Sequence, residues 1–281
     1  MKIYISADLE GISGVVSPEQ TMPEYKDYAM SRELMTGDVN AAIQGLRQAG
    51  VDEIVVNDSH HNSRTIDITA LDPGAVLISG DTRKFSMMHG LDESFDGAIL
   101  LGYHARAGTA GAIMDHSYYA KSVLEIRIDG VAHGEIGINT LYAAEMGVPV
   151  LLVTGDRAAA AEAVQVNPRL RTVCVKEAQG RFCAKCLPIA ASRKMITEAA
   201  REAAAEAAVS RREIGLPAVP SQPVLEIDFP SANLADAACV VPGTERISNR
   251  GIRFQCKSVK DLFLWRQVFC ALAASAQNKH Y

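Results

Sequence analysis

The sequence predicts an α/β fold, with a mainly parallel central sheet flanked by helices and a smaller C-terminal α/β portion. Short apolar runs of strand length recur from Lys2 to Thr154. They alternate with helix-length or glycine-containing stretches, the pattern of parallel strands joined by crossovers. Three prolines within residues 216–223 then break the chain before a last set of strands and a helix. This divides the sequence into residues 1–215 and a smaller portion at 223–281.

The first strand covers residues 2–7 and runs into an acidic, glycine-rich loop, Asp8-Leu9-Glu10-Gly11-Ile12-Ser13-Gly14. Thr21-Met22-Pro23-Glu24 has the form of a capping box, so a helix is expected over 25–49, ended by Gly50. Strands follow at 53–57, 76–79 and 98–102. Residues 118–128 read as a longer strand, and Asp129-Gly130 is a hairpin turn that leads into Val131. A helix at 135–147 precedes a buried strand at 148–154. Residues 173–175 form a further short strand, and the alanine-rich stretch at 188–212 is a long helix. Beyond the prolines, strands are expected at 224–229 and 252–257. The last helix begins at a Ser258/Asp261 cap and runs to about Ala274.

With 281 residues, 48% of them hydrophobic and 22% charged, the chain has the composition of an ordinary folded protein. Its formal net charge is −5 and no basic stripe stands out, which argues against nucleic acid as a partner. No apolar run approaches the roughly 18 residues that a membrane helix needs. The apolar start is too short for a signal peptide, so the expected location is cytoplasmic, with no membrane partner. Six irregularly spaced cysteines then read as reduced thiols, the Cys183-Ala184-Lys185-Cys186 pair included.

Candidate chemistry concentrates at strand ends. Asp8 and Glu10 are two residues apart, as are Asp58 and His60, and extended chain points each pair to one side. Loops at the carboxyl ends of parallel strands converge on one crevice, where these pairs can meet His104. Carboxylates with imidazoles are the donor set of zinc or a similar divalent metal, and Gly11, Gly14 and Gly102 allow backbone to pack close to such a centre. Hydrogen-bonded histidines without a metal explain the same pattern equally well. Gly11 and Gly14 are also compatible with a nucleotide loop, but a leading Gly-x-Gly is missing and Asp8 and Glu10 repel a pyrophosphate. Taken by itself, Glu135 at the start of a helix reads as a helix-dipole residue.

The motifs Asp8 to Gly14, Asn57-Asp58-Ser59-His60, Ser79-Gly80-Asp81, Leu101-Gly102-Tyr103-His104-Ala105, Met114-Asp115-His116-Ser117 and Gly134-Glu135-Ile136-Gly137-Ile138-Asn139 carry a resemblance. In this order they resemble the DppA-type D-aminopeptidases, peptidase family M55. Residues 149–156, Lys185-Cys186-Leu187 and Pro242-Gly243-Thr244-Glu245 extend it over nearly the whole chain. The resemblance implies a dinuclear zinc aminopeptidase, with two Zn2+ per subunit, acting on short peptides with an N-terminal D-amino acid such as D-Ala-D-Ala. It implies Asp8, Glu10, His60, His104 and Glu135 as metal ligands, with Asp8 bridging, and His116 as the catalytic residue. It also implies a homo-oligomer, a decamer around an internal chamber that admits short peptides. A metal-dependent amidase acting on another small amide, a lactam or N-acyl amino acid, is the alternative on the same site. Asp115 has no clear counterpart in the family pattern and reads as a solvated charge. His61 is expected to point away from the His60 direction.

Overall fold

The computed structural model of the protein describes residues 1–209 and 215–277. Its main sheet has seven strands: β1 (Lys2–Ala7), β2 (Glu53–Asp58), β3 (Val76–Ile78), β4 (Gly97–Tyr103), β7 (Val150–Asp156), β8 (Arg171–Gly180) and β9 (Cys183–Cys186). Their order is β3-β2-β1-β4-β7-β8-β9, parallel except for the β8–β9 hairpin. This is the mainly parallel sheet that the alternating pattern predicts. The chain leaves β1 toward β2 and β3 on one side and returns to β4, β7 and β8 on the other. The β1/β4 boundary is therefore a switch point, whose carboxyl ends open a crevice.

Alternation along β1 assigns the two faces. Ile3, Ile5 and Ala7 enter a core shared with helices α1 (Tyr28–Gln48) and α4 (Ile189–Val209). Tyr4 enters the core on the other face, with residues of α2 (Glu135–Glu145) and α3 (Arg157–Val166). A second, antiparallel sheet, ordered β11-β12-β10-β5-β6, extends that side. Its strands are β5 (Glu125–Ile128), β6 (Val131–His133), β10 (Val224–Asp228), β11 (Glu245–Arg246) and β12 (Gly251–Gln255). Helices α5 (Ala232–Ala238) and α6 (Val259–Ala276) add their apolar residues to the same core. Strands β10, β11 and β12 thus share a sheet with β5 and β6, which precede the prolines.

Several elements depart from the sequence reading. The first helix begins at Tyr28 rather than Tyr25. Before it, Gln20 closes a short helical turn by accepting the Val16 N–H at 2.8 Å and the Ser17 N–H at 3.2 Å. Thr21 is left in a loop, where its carbonyl serves the site described below. Residues 118–124 are not strand: Tyr118 has φ +60°, and only Glu125–Ile128 pairs, through the Asp129-Gly130 hairpin, with β6. Helices α3 and α5 lie where the periodic signal is weak. At the last helix the Ser258/Asp261 cap forms as expected, with Ser258 Oγ accepting the Asp261 N–H at 3.1 Å. Residues 210–212 of the expected long helix lie outside the described residues. Among the described residues, no helix is long and apolar enough to cross a membrane.

Candidate metal centre

Two glycines set the frame. The Gly11 N–H donates to the Gly102 carbonyl at 2.7 Å and the Asp8 N–H to the Leu101 carbonyl at 2.8 Å, which docks the loop after β1 on the end of β4. A Cβ on Gly11 would sit 2.0 Å from the Tyr103 carbonyl oxygen. Gly102 has φ +74°, and a Cβ there would sit 2.3 Å from the Asp8 carbonyl oxygen. Only paired glycines permit this approach, which carries Asp8 and Glu10 toward His104. The ammonium of Lys176, on β8, locks the same loop from below. It donates to the carbonyls of Glu10 at 2.6 Å, Ile12 at 2.8 Å and Val15.

The six residues singled out from sequence meet in this crevice. Asp8 lies between two imidazoles, its Oδ1 3.3 Å from His60 Nδ1 and its Oδ2 3.5 Å from His104 Nε2. Glu10 Oε2 is 3.1 Å from His60 Nδ1. Glu135, delivered by the first turn of α2, places Oε2 3.3 Å from His104 Nε2 and Oε1 3.9 Å from His116 Nε2. His116 stacks on His104, with ring centroids 3.9 Å apart. Asp8, Glu10, His60, His104 and Glu135 are all buried.

Each imidazole has one nitrogen on a backbone carbonyl. His60 Nε2 is 2.7 Å from the Thr21 oxygen, His104 Nδ1 3.0 Å from that of Ala105, and His116 Nδ1 2.8 Å from that of Met114. A carbonyl only accepts, so these nitrogens carry the protons and the opposite nitrogens turn toward the carboxylates. Second-sphere carbonyls orient metal-binding histidines in the same way. Glu10 Oε2 and His104 Nε2 face their neighbours at 3.1–3.3 Å, yet neither makes a hydrogen bond. Buried atoms of this kind are costly unless something else pairs with them. Two triads, Asp8/Glu10/His104 and His104/His116/Glu135, have the donor types and the closeness to hold a cation. The residues fit a divalent metal.

The charges respond strongly to one another. Burial, then the neighbouring Glu10, pushes the Asp8 carboxyl up to about 7. Burial opposes ionisation of Glu10 and Glu135 as well, but His60 and His104 respectively outweigh it and hold both carboxyls low. Burial likewise opposes charge on His60 and His104, and is overcome by Glu10 and Glu135, so both imidazoles are raised well above the usual value. His116 goes the other way, lowered by burial and by His104. A divalent cation held by these residues would supply the positive charge that the carboxylates otherwise draw from imidazolium protons.

A family model described as D-aminopeptidase matches residues 1–268. The chain belongs to the D-aminopeptidase family. The D-aminopeptidase of Bacillus subtilis (strain 168) is 37% identical over 276 residues, covering 97% of this chain and 98% of its own. The solved structure of the Zn-dependent D-aminopeptidase DppA from Bacillus subtilis, a self-compartmentalizing protease, matches with a TM-score of 0.94. That match has 35% identity and covers 100% of both chains. The α/β fold, the family resemblance and the reading of the chain as an enzyme are borne out.

Other residues of this D-aminopeptidase family member fall differently from the sequence reading. Asp115 is not a solvated charge: its Oδ2 accepts the Gly108 N–H at 2.7 Å and its Oδ1 pairs with Arg181 at 2.6 Å. Asp58 supports the site without facing it, as its Oδ2 accepts the N–H groups of Thr65 and Ile66. His61 has φ +46° and is exposed on the cavity wall. The CxxC pair lies exposed on β9 as free thiols. Sequence reasoning missed Lys176, Thr21, whose carbonyl accepts from His60 Nε2, and Arg266, a buried guanidinium on α6 that lines the cavity. Lys176 and Arg266 carry no local motif, and Thr21 reads as part of a capping box. Lys176 and Arg266 reach the site from distant parts of the chain.

Proposed function

We propose that the protein is a zinc-dependent D-aminopeptidase that holds two zinc ions per subunit through Asp8, Glu10, His60, His104 and Glu135. Its substrates are short peptides with an N-terminal D-amino acid, such as D-Ala-D-Ala. The observation that carries this reading is the buried cluster in which both oxygens of Asp8 face imidazoles, one on each side. Glu10 and His60 beside one oxygen of Asp8, and His104 and Glu135 beside the other, would hold the two cations together with it. The relative named a Zn-dependent D-aminopeptidase supports the choice of metal and substrate.

Bound zinc supplies a Lewis acid for the scissile carbonyl and lowers the pKa of water. The protein's own residues do the rest. The Met114 carbonyl fixes the His116 Nδ1 proton and leaves Nε2 as a base toward the cavity. Burial keeps that imidazole neutral, ready to take a proton and return it to the leaving amine. Glu135 accepts the Tyr118 N–H at 2.5 Å, which ties the histidine loop to α2. The relative described as a self-compartmentalizing protease supports a homo-oligomer; the reading here is a decamer whose chamber excludes folded proteins.

The test compares D-Ala-D-Ala, L-Ala-L-Ala and N-acetyl-D-alaninamide before and after chelation and zinc restoration. Zinc-restorable release of D-Ala from the D-dipeptide alone is expected. Turnover of only the acylated amide would replace the aminopeptidase with a metal-dependent amidase.

A further inference from the structure

The cavity lined by Asp8, Glu10 and Glu135 has a volume of about 840 Å³, and Arg266 lines it as well. The residue is only 1% exposed. Its guanidinium stacks on the Tyr118 ring, 3.6 Å from the centroid, and lies 4.7 Å from that of Phe263. These ring faces favour a cation but accept no N–H in its plane. Nε and Nη2 are both buried without a hydrogen-bond partner. The adjacent Gln267 Oε1 is also buried and unpartnered.

A buried guanidinium with unpartnered nitrogens is costly, and its planar fork matches the two oxygens of a carboxylate, as it does those of a phosphate. Tyr118 connects it to the metal centre: the ring carries Arg266, and the backbone N–H of the same residue reaches Glu135. The cavity therefore carries both charges: Asp8, Glu10 and Glu135 line it together with Arg83, Arg181 and Arg266, and of these arginines Arg83 is held by Asn57 and the Asp58 carbonyl and Arg181 by Asp115. A short peptide has the complementary polarity, with an ammonium at one end and a carboxylate about 7 Å away in an extended dipeptide.

We propose that Arg266 binds the free C-terminal carboxylate of a di- or tripeptide and so makes the enzyme selective for short, carboxylate-terminated peptides. This rests on the aminopeptidase reading above. Blocking the carboxylate as an amide removes the charge and keeps the scissile bond.

The test measures kcat/KM for D-Ala-D-Ala and D-Ala-D-alaninamide on the zinc-supplied protein and on Arg266→Gln and Arg266→Lys. The wild type is expected to prefer the acid by roughly 10- to 100-fold, the range of a charge-assisted hydrogen bond. Arg266→Gln should abolish that preference by raising KM for the acid alone, and Arg266→Lys should restore part of it. Equal turnover of acid and amide by the wild type overturns the proposal, and this comparison needs no variant to fold. If neither compound is cleaved, the aminopeptidase reading fails and calorimetry with the same pair decides the Arg266 proposal separately. Tighter binding of the acid, lost in Arg266→Gln, supports it; equal binding of the two overturns it.

Discussion

The imidazoles of His104 and His116 stack with centroids 3.9 Å apart and planes 10° from parallel. One ring points its free nitrogen into the carboxylates and the other points its own toward Glu135 and the cavity. Two stacked rings cannot both be charged cheaply, and burial, then the neighbouring His104, holds the His116 imidazole below its usual value. His116 is left as the neutral base. His116→Ala should keep its zinc and lose turnover by roughly 100-fold or more. Metal content and kcat on the same sample check this, and unchanged kcat would remove His116 from the chemistry.

His60 and His61 are neighbours with opposite roles. His60 is buried against Asp8 and Glu10, whereas His61 takes a left-handed backbone conformation and is exposed. His60→Ala is expected to lose zinc and activity together, and His61→Ala to keep most of both. Zinc analysis of the two variants separates them; equal loss would contradict the ligand assignment.

Lys176 positions Glu10 through backbone. Its ammonium is 1% exposed and serves three carbonyls of the loop after β1, while burial lowers its pKa to about 8. Lys176→Met leaves those carbonyls without a donor, at a cost of about 2–4 kcal/mol. A lower denaturant midpoint together with weakened zinc retention is expected. Loss of stability with full zinc affinity would show that the loop holds its shape without the lysine.

Tyr4, Tyr103, Tyr118 and Tyr142 are all raised, chiefly by burial. A folded pKa above the unfolded value near 10 contributes stability that is complete below pH 10 and lost as pH rises beyond it. Denaturant midpoints should fall steeply above pH 10. These four of the eight tyrosines should ionise only as the protein unfolds, readable in the ultraviolet absorbance. A reversible titration of all eight in the folded state would contradict their burial.

The legible parts of this protein are local. The β1 run with its Asp-x-Glu loop, the His60 and His104 strand ends and the Asp129-Gly130 hairpin all follow from patterns a few residues long. Glu135 is a different case, because a glutamate opening a helix has an ordinary explanation. Only the packing of α2 against β4 gives it a buried role, and only the family motif marked it. The expected strand at 118–124 fails for a related reason: the Tyr118 N–H is taken by Glu135, with backbone turned to φ +60°. Thr21 looked like a helix cap, and its carbonyl instead orients His60. Arg266 and Lys176 depend on contacts across the whole fold, which no short window of sequence contains.

The most direct test of the proposed metal centre is the zinc content of the purified protein, measured by mass spectrometry alongside D-Ala-D-Ala hydrolysis, before and after chelation and again after zinc is returned. The expected result is about two zinc ions per chain, with activity that leaves and returns with them. A folded protein that neither holds nor regains zinc would contradict the assignment of Asp8, Glu10, His60, His104 and Glu135.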